Sequence, residues 1–270
     1  MVCTIQIDFS PQASEKPLGL PQITQGWQSA LNIAKANGRP LPDVAANTSY
    51  APMRHTQTSG DPRIGLTKGA MVETLDGAKP VERLKPGDLL RTGSGAFRPL
   101  RHVFCIDLAS PCRAIRINAE ALGPGVPKTG IRLPREQQIH VTSDIARGMF
   151  GQEGALVPVH LLTTLPGICA AQVKERVHYL LLMDRQDTVL TRGVPVETLA
   201  PCARNLALVP PHMRKAITRL CPDFVQDKPE AALHLKVPKI KRQKRLVNKH
   251  ANAGTPLLGD EPASVENKTG

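Results

Sequence analysis

The sequence predicts a mainly β protein with one globular body, and three observations carry that prediction. Short segments alternate apolar and polar side chains in the manner of half-buried strands, as in Arg101–Ile106 (RHVFCI) and Cys112–Ile117 (CRAIRI). Turn signals interrupt the chain at short intervals, among them Asp76-Gly77, Pro86-Gly87-Asp88 and Gly93-Ser94-Gly95. The 25 prolines concentrate outside the best-patterned region, which marks loops and tails around a single domain.

The elements follow in chain order. Residues 1–63 read as an N-terminal arm, mostly Pro, Gln, Ser, Thr and Asn. It carries one helix near 24–37: Thr24 is a suitable N-cap, Trp27, Ala30, Leu31 and Ala34 share a face, and Gly38 and Pro40 stop it. That face either docks a partner or packs on its own domain, the commoner use of an amphipathic helix. Residues 64–205 form the β body. Val72–Leu75 runs into the Asp76-Gly77 hairpin turn, Pro80–Leu84 into Pro86-Gly87-Asp88, and Leu89–Thr92 is a strand. Ser143 caps a short helix, Asp144–Phe150, closed by Gly151. His178–Met183 (HYLLLM) is a buried-type strand, and Asp187–Thr191 with Gly193-Val194 gives a last strand and turn. Residues 206–225 hold a short helix with Met213, Ala216, Ile217 and Leu220 on one face. Residues 226–270 read as a basic disordered tail.

Composition narrows the function classes. Apolar residues make up 41% of the chain and aromatics only 3%, enough for one core of moderate size. The net charge of +12 favours anionic partners but is equally the signature of a solvated tail. The six cysteines are scattered without a C-x-x-C, so neither a metal site nor a cofactor is expected, and reduced thiols are. Met1–Ser10 lacks a basic region and a long apolar core, so it does not read as a secretory signal, and no apolar run approaches a membrane span. The expectation is a cytoplasmic protein; leaderless export would leave no mark on these features. Gly123-Pro124-Gly125 lacks the helix and Lys of a phosphate loop.

One stretch carries more information than the rest. Gly65-Leu66-Thr67-Lys68-Gly69-Ala70-Met71-Val72-Glu73-Thr74, followed by Gly77–Thr92 (GAKPVERLKPGDLLRT), resembles the opening of a Hint (hedgehog/intein) domain. Such domains usually begin with Cys in a run like C-x-x-G-T-x-I-x-T and continue P-V-E-x-L-x-x-G-D-x-V-x-T. The resemblance continues in register through Ile115–Pro127 (IRINAEALGPGVP), Met149-Phe150-Gly151 with Ala155–Leu162, His178–Asp187 (HYLLLMDRQD) and Val196–Pro201 (VETLAP). It covers about half the chain and is closest to the bacterial stand-alone Hint-like subgroup. It implies a Hint-type β horseshoe with pseudo-two-fold halves, flanked here by N- and C-terminal extensions. Active members cleave or splice their own backbone: a Cys attacks the preceding carbonyl, a His of an [S/T]-x-x-H segment protonates the leaving nitrogen, and a second His, in D-R-H-E, assists.

Carried over position by position, that chemistry is missing. The nucleophile position is Gly65, the hydroxyl and His of [S/T]-x-x-H fall on Pro134 and Gln137, and the His of D-R-H-E falls on Gln186. A Gln amide copies some hydrogen bonds of a neutral His but does not titrate near pH 7. Thr67 is an alternative nucleophile without a motif-placed base, and His140 is an alternative base reached by a local slip. His102, His160 and His178 sit in apolar strand contexts and read as structural, Cys105 and Cys112 as buried apolar neighbours, and Asp88 as a turn residue.

Three functions fit this sequence. A degenerate Hint-like domain serves as a structural or interaction module for a protein partner. An autoprocessing protein cuts between Ile64 and Gly65. A nonspecific nucleic-acid or anionic-surface binder uses Lys239, Lys241, Arg242, Lys244 and Arg245 for anion contacts, although no aromatic platform accompanies them. The first fits best, because the scaffold segments persist while the chemistry-bearing side chains do not.

Overall fold

Two faces of one strand pair organise this protein. The computed structural model describes residues 54–56, 64–107, 113–151, 153–172, 176–183, 185–199, 206, 211–220 and 235–258. The helix expected near 24–37 lies outside the described residues. The described residues all belong to the compact unit 51–270.

The strands are β1 (Arg54–Thr56), β2 (Leu66–Thr67), β3 (Met71–Thr74), β4 (Gly77–Pro80), β5 (Leu89–Arg91), β6 (Phe97–Asp107), β7 (Arg113–Ile117), β8 (Ile131–Pro134), β9 (Gln138–Val141), β10 (Ala155–Pro158), β11 (Ile168–Gln172), β12 (Val177–Met183), β13 (Thr188–Thr191) and β14 (Val194–Glu197). The helices are α1 (Asp144–Phe150), α2 (Pro211–Leu220) and α3 (Ile240–Ala253), with 3-10 turns at Val81–Arg83 and Val159–Thr164. One long curled sheet runs β10-β9-β14-β13-β3-β5-β6-β12-β2, with β4 beside β3 and β1 beside β6; β11-β7-β8 form a second sheet. Pairing is antiparallel except between β1 and β6. The protein is therefore mainly β, as the alternation and turn signals predict.

The β6–β12 pair explains the unbroken apolar run HYLLLM. Leu181 and Met183 of β12, with Val103 and Cys105 of β6, enter the main core beside Val72, Leu90, Ile117, Leu133, Ile139 and Val196. Leu180 and Leu182, with Phe104 and Ile106, enter a second cluster on the other face, closed by Met213 and Ile217 of α2. A strand covered on both faces is apolar throughout rather than alternating.

Turn chemistry follows the sequence closely. Asp88 Oδ2 accepts from Lys85 N–H at 2.9 Å, bonding its own turn. Ser143 Oγ accepts from Ala146 N–H at 3.1 Å and so caps α1. His160 corrects the expectation: it lies in a 3-10 turn, not a strand, with Nδ1 3.1 Å from Arg135 O.

The expected disordered tail is the larger correction. Within it, residues 235–258 are an ordered strap, and α3 buries Gln243, Leu246, Val247 and His250 at i, i+3, i+4 and i+7. Two of those four are polar, so the stripe hides inside a charge run. The strap covers β10, the terminal strand of the long sheet. Leu156 N–H donates to Lys236 O at 2.9 Å, and Leu156 O accepts from Gln243 Nε2 at 2.9 Å. An uncovered edge would leave those groups as a template for another chain. Further along, Leu257 and Leu258 enter the core, and Leu258 N–H donates to Leu122 O at 2.9 Å. The approach is close enough that a Cβ on Gly123 would lie 2.3 Å from Leu258 O, so only glycine fits there.

Candidate functional site

The turn between β8 and β9 places Gln137 against the start of β2. Gln137 N–H donates to Pro134 O at 3.0 Å, and Val159 N–H donates to Gln137 O at 2.9 Å, which fixes the residue from both sides. Its side chain is 3% exposed and fully engaged. Oε1 accepts from Gly65 N–H at 2.7 Å, and Nε2 donates to Glu197 O at 2.9 Å and Gln138 O at 3.3 Å. The position assigned to the family's leaving-group His thus holds the amide at the Ile64–Gly65 junction, but through a group with no proton to give near neutral pH.

Gln186, in the turn between β12 and β13, does not contact Gln137 directly. Glu197 bridges them. Gln137 holds the Glu197 carbonyl, while Gln186 Nε2 donates to Glu197 Oε1 at 3.0 Å and Gln138 Nε2 to Oε2 at 3.0 Å. Gln186 Oε1 accepts from Leu235 N–H at 3.2 Å, tying the strap to the same network. Pro134 ends β8 and contributes the carbonyl that bonds Gln137 N–H.

Gly65 is buried with φ near +103°, a conformation side chains rarely adopt. A Cβ added there would lie 2.9 Å from Leu180 Cδ2 and 3.0 Å from Tyr179 O. The void lined by Ile64, Gly65, Gln137 and Glu197 measures about 20 Å³, room for a single water. A side chain at Gly65 would therefore need Leu180 and Tyr179 O to shift and would sit on a strained backbone.

Two residues at this junction were not assigned to it by sequence, which read His178 as structural. His178, fully buried on β12, places Nδ1 3.4 Å from Ile64 O, the carbonyl that a Hint nucleophile attacks. Glu197 lay within the closing VETLAP segment, and its cross-strand place beside Gln138 follows from the Ile139–Val196 register. The signal for both was their presence in motif segments, but a His in an apolar strand is ordinarily structural.

The remaining candidates lie elsewhere. Thr67 is on β2, its carbonyl accepting from Ala70 N–H at 3.1 Å. His140 sits on β9, where Nε2 meets Glu153 O. Lys239, Lys241, Lys244 and Arg245 are exposed on and before α3. Arg242 is engaged with its own domain: Nη2 donates to Met149 O at 2.6 Å, and the guanidinium lies 4.8 Å from the Phe150 ring centre. Cys105 is buried, and Cys112 lies outside the described residues. Among the described residues no cluster of three or more His, Cys, Asp or Glu is placed to hold a metal ion, and no helix is long and apolar enough to cross a membrane.

The PabCDC21-1 intein is similar at 12% identity and a TM-score of 0.37, covering 50% of this chain and 98% of the intein. The gp41-1 intein is similar at 15% identity and a TM-score of 0.30, covering 50% and 96%. A bacterial intein-like domain from Clostridium thermocellum is similar at 14% identity and a TM-score of 0.32, covering 50% and 97%. No curated protein matches the sequence. Residues 64–203, which carry the β body and the Gly65 junction, match the family model of the Hint domain, and the chain belongs to that family.

Proposed function

We propose that this protein is a Hint domain without self-cleaving or splicing activity, serving as a structural or interaction module. The observation that supports it is the Gly65 junction: positive φ, a Cβ position crowded by Leu180 Cδ2 and Tyr179 O, and an amide hydrogen held by a Gln. Autoprocessing needs a nucleophile beside the Ile64 carbonyl and an acid beside the Gly65 nitrogen. The first position has no side chain, and the second carries a carboxamide. Of the four substituted positions, Gln137 and Gln186 hydrogen-bond without a proton to transfer near neutral pH, which makes the junction a cross-strand staple.

The test is the intact mass of the full chain after incubation at neutral pH with and without a thiol. A single species at about 29.2 kDa is expected. A fragment beginning at Gly65 overturns the proposal. It would favour a second reading, cleavage before Gly65, in which His178 beside Ile64 O polarises the carbonyl for an external nucleophile. In that case His178→Ala abolishes the fragment.

A further inference from the structure

A larger cleft opens beside β2 and shares no lining residue with the void at Gly65. It measures about 280 Å³, and its wall includes Lys68, Arg116, Arg132 and Arg192 but no acidic residue. Arg116 on β7 and Arg132 on β8 are direct cross-strand partners. Like charges in that register repel unless an anion sits between them. None of the four cations has an acidic partner among the described residues. The nearest carboxylate the hydrogen bonds place is Glu82, whose Oε2 accepts from the N–H of the lining residue Gly69 at 2.9 Å.

Two further features single this wall out from an ordinary basic surface. Arg192 has φ near +53°, an unusual conformation for a residue other than glycine. Its guanidinium is anchored on the neighbouring loop by Thr129 Oγ1 and Gly130 O, and Lys128 N–H donates to its carbonyl at 3.2 Å. The guanidinium is thus held in place before any ligand arrives. Beside it Thr191, 1% exposed, is a lining residue of the cleft, and its buried Oγ1 finds no hydrogen-bond partner among the described residues. A buried hydroxyl left without a partner costs free energy, and an anion oxygen is the acceptor that the surrounding charge selects.

We propose that this cleft binds the phosphoryl group of a small phosphorylated ligand, with Arg116 and Arg132 flanking the anion, Arg192 anchored at its side and Thr191 Oγ donating to one of its oxygens. Guanidinium pairs match the tetrahedral anion in charge and hydrogen-bond geometry. The site rests on residues that take no part in the Gly65 network, so it stands or falls independently of the inactive reading.

The experiment is calorimetric titration of the full chain with inorganic phosphate, pyrophosphate and adenosine monophosphate, each against sodium chloride at matched ionic strength. One saturable site is expected for at least one phosphate probe. Stronger binding of the nucleotide than of inorganic phosphate assigns the site to phosphorylated organic ligands; equal binding assigns it to the free anion. The double variant Arg116→Gln/Arg132→Gln is expected to weaken binding about tenfold or more, the scale of one or two lost charge-assisted hydrogen bonds. Thr191→Val is expected to weaken it by a smaller factor, and Lys244→Gln/Arg245→Gln on α3 to leave it unchanged. Without ligand the Arg116→Gln/Arg132→Gln chain is expected to melt higher than the parent, because the cross-strand repulsion is gone. Heat that chloride reproduces, an equal loss in the α3 variant, or binding only to a long polyanion such as heparin overturns the proposal.

Discussion

The Gly65 junction and the C-terminal strap both bury polar side chains against the same long sheet, but with groups of different kinds. At the junction the donors and acceptors are the carboxamides of Gln137, Gln138 and Gln186 around Glu197. Under the strap they include Ser143 and His250, with Ser143 Oγ 2.8 Å from His250 Nε2 and Thr255 O 3.1 Å from Nδ1. The amides hold the same bonds across the ordinary pH range. The imidazole gains or loses a ring proton as pH changes, so the donors and acceptors at its two nitrogens change with it. So the positions expected from the family to hold proton-moving histidines hold carboxamides around the single carboxylate of Glu197, while the strap fastens the fold through an imidazole.

Removing the strap tests that division most severely. Leu235, Leu246, Val247, Leu257 and Leu258 are all buried. At about 2 kcal/mol each, their loss is comparable to the whole net stability of a domain, about 5–15 kcal/mol. A chain truncated before residue 235 is expected to lose cooperative thermal unfolding and to aggregate through the uncovered β10. A truncated protein that melts like the parent would make the strap an accessory instead.

Restoring the family's nucleophile is the next largest effect. Gly65→Cys introduces a Cβ against Leu180 and Tyr179 O at a positive φ. Backbone strain and overpacking together are expected to cost about 3 kcal/mol, read as a lower urea midpoint, and intact-mass analysis should show no cleavage. If Gly65→Cys combined with Gln137→His is as stable as the parent and cleaves, the junction lacks only its side chains and has not been repacked. Gln137→Ala is the milder perturbation. It leaves Gly65 N–H without its acceptor and Glu197 O without one of its donors, for about 2 kcal/mol. Gln137→His keeps an acceptor for Gly65 N–H and is expected to lose less. Equal losses in the two variants would mean that the hydrogen bond to Gly65 contributes little.

The contrast also explains what the sequence could show. The body was legible because strand alternation, turn residues and family segments agree; the family alignment named Gln137, but its bond to Gly65 N–H comes from the fold. The crowding of Gly65 was not legible, since Leu180 and Tyr179 are distant in sequence and ordinary in an apolar strand. The strap was missed for a different reason. Its buried stripe is Gln243, Leu246, Val247 and His250, and neither a Gln nor a His registers as core when the intervening positions are Lys, Arg and Asn. Hydrophobic periodicity detects packing by apolar residues, whereas α3 also docks through hydrogen bonds to Leu156 O and Ser143 Oγ. The Arg116–Arg132 cleft was equally hidden, because only the β7–β8 register brings the two side together.

The smallest effect separates the two regions by pH alone. Burial pushes His250 below its ordinary 6.5, with the Thr255 carbonyl partly opposing the shift; burial likewise lowers His102. Between the folded value and about 6.5 the unfolded chain binds more protons than the folded one, so stability falls as pH falls through that window. Above it these groups give no pH dependence. The full chain should therefore unfold at less urea at pH 5.5 than at pH 7.5, and His250→Gln should reduce that difference while His102 sustains the remainder. The Gly65 network predicts the opposite behaviour for its own variants: Gln137→Ala shifts both midpoints by the same amount, because a carboxamide removed at either pH is the same group. If His250→Gln leaves the pH difference intact while Gln137→Ala alters it, the pH dependence belongs to the junction and not to the strap.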